Sequence, residues 1–335
     1  MKISASIYSA KETDLGNLLR ELDAYSSDYF HVDCNDDISV FEDIKKINKL
    51  SSTPIDLHLI TPEPEKYFDL IRESGVASVT IQFESLPRKI EIPKDLNCDC
   101  GLAIVTETDI SVFDEYAEEV DHILFMATTP GVSGQSFQKE NFRKIRAFRS
   151  KYPEKRIHVD GGINADLSFI LRNMGVYLVV VGSYLLRQEF IGSAMLKLRS
   201  DAEGSAFKVE DFMLGIDEIP VLKASEFEMM KMLKTVEDFR MGFVNITDKE
   251  GKLIGIISNA DIRRALIQKL NEANSISLDE ILNSSPATIK RSNSVSEMMR
   301  YIKKLSFPVL FLPVVDENGF LCGTLKFNNL IRGEL

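Results

Sequence analysis

Long apolar runs are missing from this sequence. No stretch reaches the length needed to cross a bilayer, and the opening MKISASIYSA lacks the apolar core of a secretion signal, so a cytoplasmic chain is expected. Cysteine is sparse as well. Cys34, Cys98, Cys100 and Cys322 are scattered, and the Cys98-Asp99-Cys100 spacing suits neither a zinc ribbon nor a thioredoxin-like motif, which implies reduced thiols. Positive charge is in deficit: 40 Lys and Arg against 51 Asp and Glu leave a net charge of -11 and a pI near 5.1. That balance argues against a nucleic-acid backbone or an anionic membrane as the main partner. A small anionic substrate stays compatible, because loop amides act on it locally.

What the sequence does have is repetition. Eight short apolar or β-branched runs recur: KISASIY, YFHVDC, PIDLHLI, SVTIQF, CGLAIV, HILFMA, RIHVDG and LVVVGS. Most are separated by amphipathic stretches of helical spacing, such as TDLGNLLRELDAY, KYFDLIRES and NFRKIRAFRSKY. Eight strand-helix units in roughly two hundred residues point to an α/β fold of the (β/α)8 TIM-barrel type, with its chemistry at the C-terminal ends of the strands. A doubly wound open sheet is the competing arrangement. The 335 residues exceed what one core comfortably serves. The polar, small-residue stretch RSDAEGSAFK at 199–208 marks a boundary, giving a barrel over 1–200 and a second domain over 208–335. That second domain carries a repeat: DKEGKLIGIISNADIRRAL is echoed by DENGFLCGTLKFNNLIRGEL, with Gly251 recurring as Gly319 and Gly255 as Gly323.

Residues two apart on a strand share a side, so His31 and Asp33 project together at the active end of YFHVDC. PIDLHLI adds His58, RIHVDGG adds Asp160, and KISASIY adds the hydroxyl of Ser6. Two imidazoles and two carboxylates converging on a barrel axis form a site for one divalent transition metal: zinc, iron(II), manganese or cobalt. Glycine clusters follow the last three strands, in TTPGVSGQSF, DGGIN and VGS, where barrels commonly grip a phosphate with backbone amides. A phosphorylated substrate is therefore expected. His158, two residues before Asp160, is read as packed or hydrogen-bonded in the core, His122 as facing the far end of the barrel, and Cys34 as barrel-helix packing.

In this order and at these spacings, K-I-S-A-S-I-Y-S-A, H-V-D, D-L-H-L, M-x-x-x-P-G-x-x-G-Q-S-F, V-D-G-G-I-N and V-G-S resemble the ribulose-phosphate 3-epimerase family over most of residues 1–200. The resemblance implies that His31, Asp33, His58 and Asp160 ligate the metal, and that Asp33 and Asp160 are the acid-base pair on opposite faces of the substrate. It implies further that Ser6 bonds the substrate and Met126 shields the intermediate from water. Backbone amides around Gly131, Gly134, Gly161, Gly162, Gly182 and Ser183 would hold the phosphate. The chain departs from the family pattern after the second strand, where Asp33 runs through Cys34, Asn35, Asp36 and Asp37 into a shortened loop. Ile60, Gln82 and Ser133 are further departures. These alter the wall around the sugar, so a six-carbon ketose phosphate, or a barrel that binds a sugar phosphate without turnover, are the alternatives to a ribulose 5-phosphate epimerase.

Residues 208–335 resemble a CBS-domain pair. In G-I-I-S-N-A-D-I-R-R, Ser258 and Asp261 match that family's S/T-x-x-D nucleotide motif, whereas Lys326 and Asn329 fill the matching positions in the second copy. A-D-I-R-R and L-P-V-V-D-E-N-G are most similar to the pair attached to arabinose 5-phosphate isomerases. The resemblance implies an adenine nucleotide or a sugar nucleotide as ligand and a homo-oligomer as the assembly.

Overall fold

All eight expected strands form, and the sheet they make closes on itself. A computed structural model describes residues 1–10, 14–128, 135–188, 190–199, 207–269, 275–302, 304–305 and 309–327. β1 (Lys2–Ser6), β2 (Tyr29–Asn35), β3 (Ile55–Ile60), β4 (Ser78–Gln82), β5 (Asp99–Val105), β6 (His122–Met126), β7 (Arg156–Asp160) and β8 (Leu178–Val181) pair in parallel, each with the next. β8 returns to β1, which rules out the open doubly wound sheet.

Helices α1 (Leu15–Ala24), α2 (Val40–Leu50), α3 (Phe68–Ser74), α4 (Glu140–Lys151), α5 (Ala165–Asn173), α6 (Ser183–Leu186) and α7 (Ile191–Arg199) accompany the strands. Their starts are set by local chemistry. The Asp14 carboxylate accepts from the Asn17 amide to cap α1, and the Asn164 side chain accepts from Leu167 N to cap α5. No α-helix follows β4 or β5 among the described residues. Pro87 and Pro93 interrupt the first connection, each removing a backbone donor, and the second makes only a 3-10 turn over Ile110–Glu115.

The barrel interior is unusually polar. His31, Asp56, His58, Thr80, Gln82, His122 and His158 are all buried. The His122 and His158 rings stack with centroids 4.0 Å apart, and His122 Nε2 lies 2.8 Å from Thr80 Oγ1. Burial pushes the His122 imidazole down to about 4. These two histidines thus serve the packed core. Cys34 is fully buried on the other side of β2 from Asp33.

The chain divides into two compact units, the first running from Met1 to Ala202 and the second spanning Glu203–Arg332. The second contains α8 (Val209–Phe212), β9 (Leu214–Gly215), β10 (Val221–Lys223), α9 (Met229–Phe239), β11 (Phe243–Thr247), β12 (Leu253–Ser258), α10 (Asn259–Gln268), α11 (Leu278–Ile281), β13 (Ile289–Lys290), α12 (Val295–Ile302), β14 (Phe311–Val315) and β15 (Leu321–Lys326). The sequence repeat becomes a structural one. β10 runs parallel to β11, which is antiparallel to β12; β13, β14 and β15 repeat that pattern. The two copies exchange matching hydrogen bonds, Leu253 N to Gly319 O and Leu321 N to Gly251 O, each 3.1 Å. Phe243 and Phe311, equivalent positions of the copies, stack with centroids 3.7 Å apart.

Candidate active site

Parallel register puts the functional residues of β2 and β3 side by side: Asp33 pairs with His58, and His31 pairs with Ser6 of β1. Asp33 Oδ1 lies 3.3 Å from His31 Nε2 and 3.3 Å from His58 Nδ1. Both of those nitrogens are buried without a hydrogen-bond partner. An orphaned buried nitrogen is costly unless something is meant to meet it.

The opposite ring nitrogens explain the arrangement. His31 Nδ1 lies 2.8 Å from Asp56 Oδ2, which also accepts from Ser4 Oγ at 3.1 Å, and His58 Nε2 lies 2.8 Å from Gln82 Oε1. Each imidazole commits one ring nitrogen outward to an acceptor, so the other faces Asp33 and can offer its lone pair only when a cation takes the place of a proton there. Two imidazole nitrogens and a carboxylate oxygen, all within 4.8 Å of one another, suit a divalent cation. The residues present therefore fit the metal that the resemblance implies.

The electrostatics follow from the same contacts. Burial alone would raise the Asp33 carboxyl, but His31 and His58 override it and hold it well below the usual carboxylate range. Burial alone would lower the His31 imidazole, yet Asp33 and Asp56 raise it well above its ordinary value. Asp160, at the end of β7, behaves oppositely to Asp33. Burial pushes its carboxyl up to about 6, with His31 and His58 opposing and Asp33 and Asp56 adding to the rise. Asp160 belongs to this electrostatic neighbourhood but stands outside the three-residue group whose ligand atoms lie within 4.8 Å. The chain thus holds two carboxylates whose proton affinities are driven apart, a pattern that separates an acid from a base.

The remaining expected residues surround this centre. Ser6 ends β1 with its Oγ 3.1 Å from Ser9 Oγ. Met126 ends β6, buried and in the same apolar cluster as Ala103 and Leu124. Gly161 and Gly162 follow Asp160 at φ +111° and +68°, and a Cβ on Gly162 would fall 2.3 Å from Phe137 N. Only glycine fits that turn. Gly182 precedes Ser183, the first residue of α6, and a Cβ there would meet Ser9 Oγ at 2.5 Å. Gly131 and Gly134 lie outside the described residues.

In the second unit, Ser258 and Asp261 bond each other at the start of α10. Ser258 Oγ donates to Asp261 Oδ2 at 2.5 Å, Ser258 N donates to the same oxygen at 2.8 Å, and Asp261 N donates back to Ser258 Oγ at 3.3 Å. The S-x-x-D spacing is therefore also a capping box. Arg264 pairs with the other Asp261 oxygen. Lys326 ends β15, and Asn329 lies outside the described residues.

Sequence reasoning passed over the two residues that orient the imidazoles. Asp56 carries a legible signal, since it sits two before His58 on the same face of β3. Gln82 stood out only as a departure from a pattern, with nothing to say what it touches.

A closed parallel barrel with a histidine-carboxylate cluster at the C-terminal ends of its strands is the frame of a barrel enzyme. The chain belongs to the ribulose-phosphate 3-epimerase family, whose model matches residues 2–186, and it is by class an epimerase, an isomerase of carbohydrates. It is 26% identical over 213 residues to the ribulose-phosphate 3-epimerase of Bacillus subtilis, covering 59% of this chain and 98% of that one. Against the Aquifex aeolicus enzyme of the same name it is 29% identical over 167 residues, 48% of this chain and 75% of the relative. Residues 208–268 and 278–334 match the CBS-domain model, so the barrel is followed by a CBS pair. A solved CBS-pair protein, CBSX2 of Arabidopsis thaliana, aligns over 39% of this chain and 95% of its own, at 22% identity and a TM-score of 0.33. Among the described residues no helix is long and apolar enough to cross a membrane.

Proposed function

We propose that the barrel inverts C3 of a ketose phosphate, ribulose 5-phosphate or a close relative, using Asp33 and Asp160 as the acid-base pair. The observation that carries this reading is the convergence of two buried imidazole nitrogens on the Asp33 carboxylate, each 3.3 Å away, with burial lifting the Asp160 carboxyl while the imidazoles lower that of Asp33.

The chemistry needs those roles. The C2 carbonyl makes the C3 proton removable, and Asp33 takes that proton from one face. The C–H electrons become the C2–C3 double bond while negative charge moves onto the carbonyl oxygen. Asp160 then delivers a proton to C3 from the opposite face and the carbonyl re-forms, and in the reverse direction the two residues exchange roles. A divalent cation held by His31, Asp33, His58 and Asp160 supplies positive charge against the negative charge that develops on the substrate oxygens. Amides around Gly161, Gly162, Gly182 and Ser183, with Gly131 and Gly134, take the phosphate, Ser6 bonds the sugar, and Met126 keeps water away. Zinc, iron(II), manganese and cobalt all suit two imidazoles with two carboxylates.

Proton NMR of ribulose 5-phosphate with the purified protein and added divalent metal in deuterated water tests this reading. Loss of the C3 proton signal together with appearance of the xylulose epimer is expected. If only a six-carbon ketose phosphate exchanges, the substrate assignment is wrong and the acid-base roles stand. If no ketose phosphate exchanges, the mechanism is wrong.

At the CBS pair we infer a nucleotide or sugar-nucleotide site at Ser258 and Asp261, with Asp261 accepting from ribose hydroxyls. A sugar nucleotide is the choice if A-D-I-R-R and L-P-V-V-D-E-N-G mark the kind of pair attached to arabinose 5-phosphate isomerases. AMP, ATP or a sugar nucleotide at 100 times its Kd is expected to stabilise the folded chain by about 2.7 kcal/mol. Calorimetric scans of the full chain measure this, and stabilisation by none of the three overturns the site.

A further inference from the structure

The Gln82 amide has two ends of opposite character, and which end faces His58 decides what that histidine can do. If the amide oxygen faces the ring, His58 must donate from Nε2, and Nδ1 is left as the nitrogen that can give its lone pair to a cation beside Asp33. If the NH2 faces the ring, Nε2 must accept, the ring proton moves to Nδ1, and the lone pair is gone from the centre. Nothing in the Gln82–His58 pair itself chooses between these.

Glu84 makes the choice. Its Oε2 accepts from Gln82 Nε2. A carboxylate has no proton to donate, so it can meet only the NH2 end of the amide, which leaves Gln82 Oε1 for His58 Nε2 at 2.8 Å. Glu84 is in turn fixed by the end of β5 and the loop after it, its Oε1 accepting from Val105 N at 3.0 Å and from Thr108 Oγ1. A directional run of hydrogen bonds therefore leads from an exposed loop to a nitrogen buried in the centre.

We propose that Glu84 is a positioning residue for the candidate metal site, acting through the Gln82 amide to select the His58 tautomer that presents Nδ1 to Asp33. The inference rests on the metal reading above but is readable without the metal.

Glu84→Gln is the informative substitution because it is isosteric. Val105 N and Thr108 Oγ1 would keep the new amide oxygen, so its NH2 would face Gln82. The Gln82 amide would then turn over and offer its own NH2 to His58. In the metal-free full chain, long-range proton-nitrogen NMR of labelled histidine is expected to show His58 Nε2 protonated in the wild type and unprotonated in Glu84→Gln, whatever Nδ1 carries beside Asp33. Zn²⁺ affinity, measured by competition with a chromophoric chelator, is expected to fall by about 10- to 100-fold, the usual cost of losing such an outer partner. The Gln82→Glu/Glu84→Gln double variant puts an acceptor-only group next to His58 and is expected to recover Zn²⁺ affinity to within a few-fold.

A role limited to anchoring the loop predicts the opposite ranking. Glu84→Gln would then be nearly silent and Glu84→Ala the worse variant. That ranking, or an unchanged His58 tautomer in Glu84→Gln, overturns the proposal. Failure of the wild-type chain to bind Zn²⁺ would instead count against the metal reading, with the tautomer result still deciding the relay.

Discussion

Asp33→Asn and Asp160→Asn are each expected to lower epimerisation by about 10²- to 10⁴-fold, the range that a positioned proton-transfer group contributes. Asparagine keeps the size of the side chain but neither takes nor returns a proton. The two losses should differ in kind. Asp160→Asn retains the group that abstracts from one face, so one epimer is expected to lose its C3 proton to solvent without being inverted. Asp33→Asn should exchange only the other epimer. Because Asp33 Oδ1 also faces both imidazoles at 3.3 Å, metal content must be measured with turnover for that variant. Full epimerisation by either variant would end the two-carboxylate assignment, and loss of exchange from both epimers in both variants would show that the pair acts only through the metal. The assignment of roles follows from environment, since burial lifts Asp160 to about 6 while two imidazoles hold Asp33 ionised.

How much of this was legible beforehand depended on whether a residue's role is carried by its neighbours in sequence or in space. Each strand is a short β-branched run, so the eight strands could be read directly, and two-residue periodicity placed His31 with Asp33. The step from strands to a closed barrel needed the repeat count, which β8 pairing with β1 satisfies. The missing helices after β4 and β5 were foreshadowed by Pro87 and Pro93 for the first connection, but nothing in TETDISVFDEY announces that the second stays a 3-10 turn. The hydrogen bonds from His31 to Asp56 and from His58 to Gln82 span separations of 25 and 24 residues, and only the register of adjacent strands creates them. The Ser258–Asp261 spacing shows the reverse problem, because one local pattern serves both a nucleotide motif and a helix cap, and sequence alone does not separate them.

Gly101→Ala is expected to cost the barrel about 3 kcal/mol, the upper end of what overpacking usually costs. Gly101 sits in mid-strand on β5, paired with Thr80 on one side and His122 on the other. An ideal Cβ there falls 2.1 Å from His122 Nε2 and 2.5 Å from Cε1, inside the imidazole. That ring has nowhere to go. It is fully buried, its Nε2 meets Thr80 Oγ1, and it stacks on His158, which stacks in turn on Tyr177 at 5.7 Å. Denaturant unfolding followed by near-ultraviolet tyrosine signal isolates the barrel, because the chain has no tryptophan and only Tyr301 of its nine tyrosines lies beyond residue 200. The companion substitution His122→Ala should also destabilise, by opening a cavity where the imidazole stood. In the double variant the new methyl occupies space that the ring has vacated, so the two costs should fall short of additivity by about 1 to 2 kcal/mol, within the range for contacting residues. Strict additivity would mean that the stacked pair yields to the methyl, and that glycine at 101 reflects something other than the imidazole packed against it.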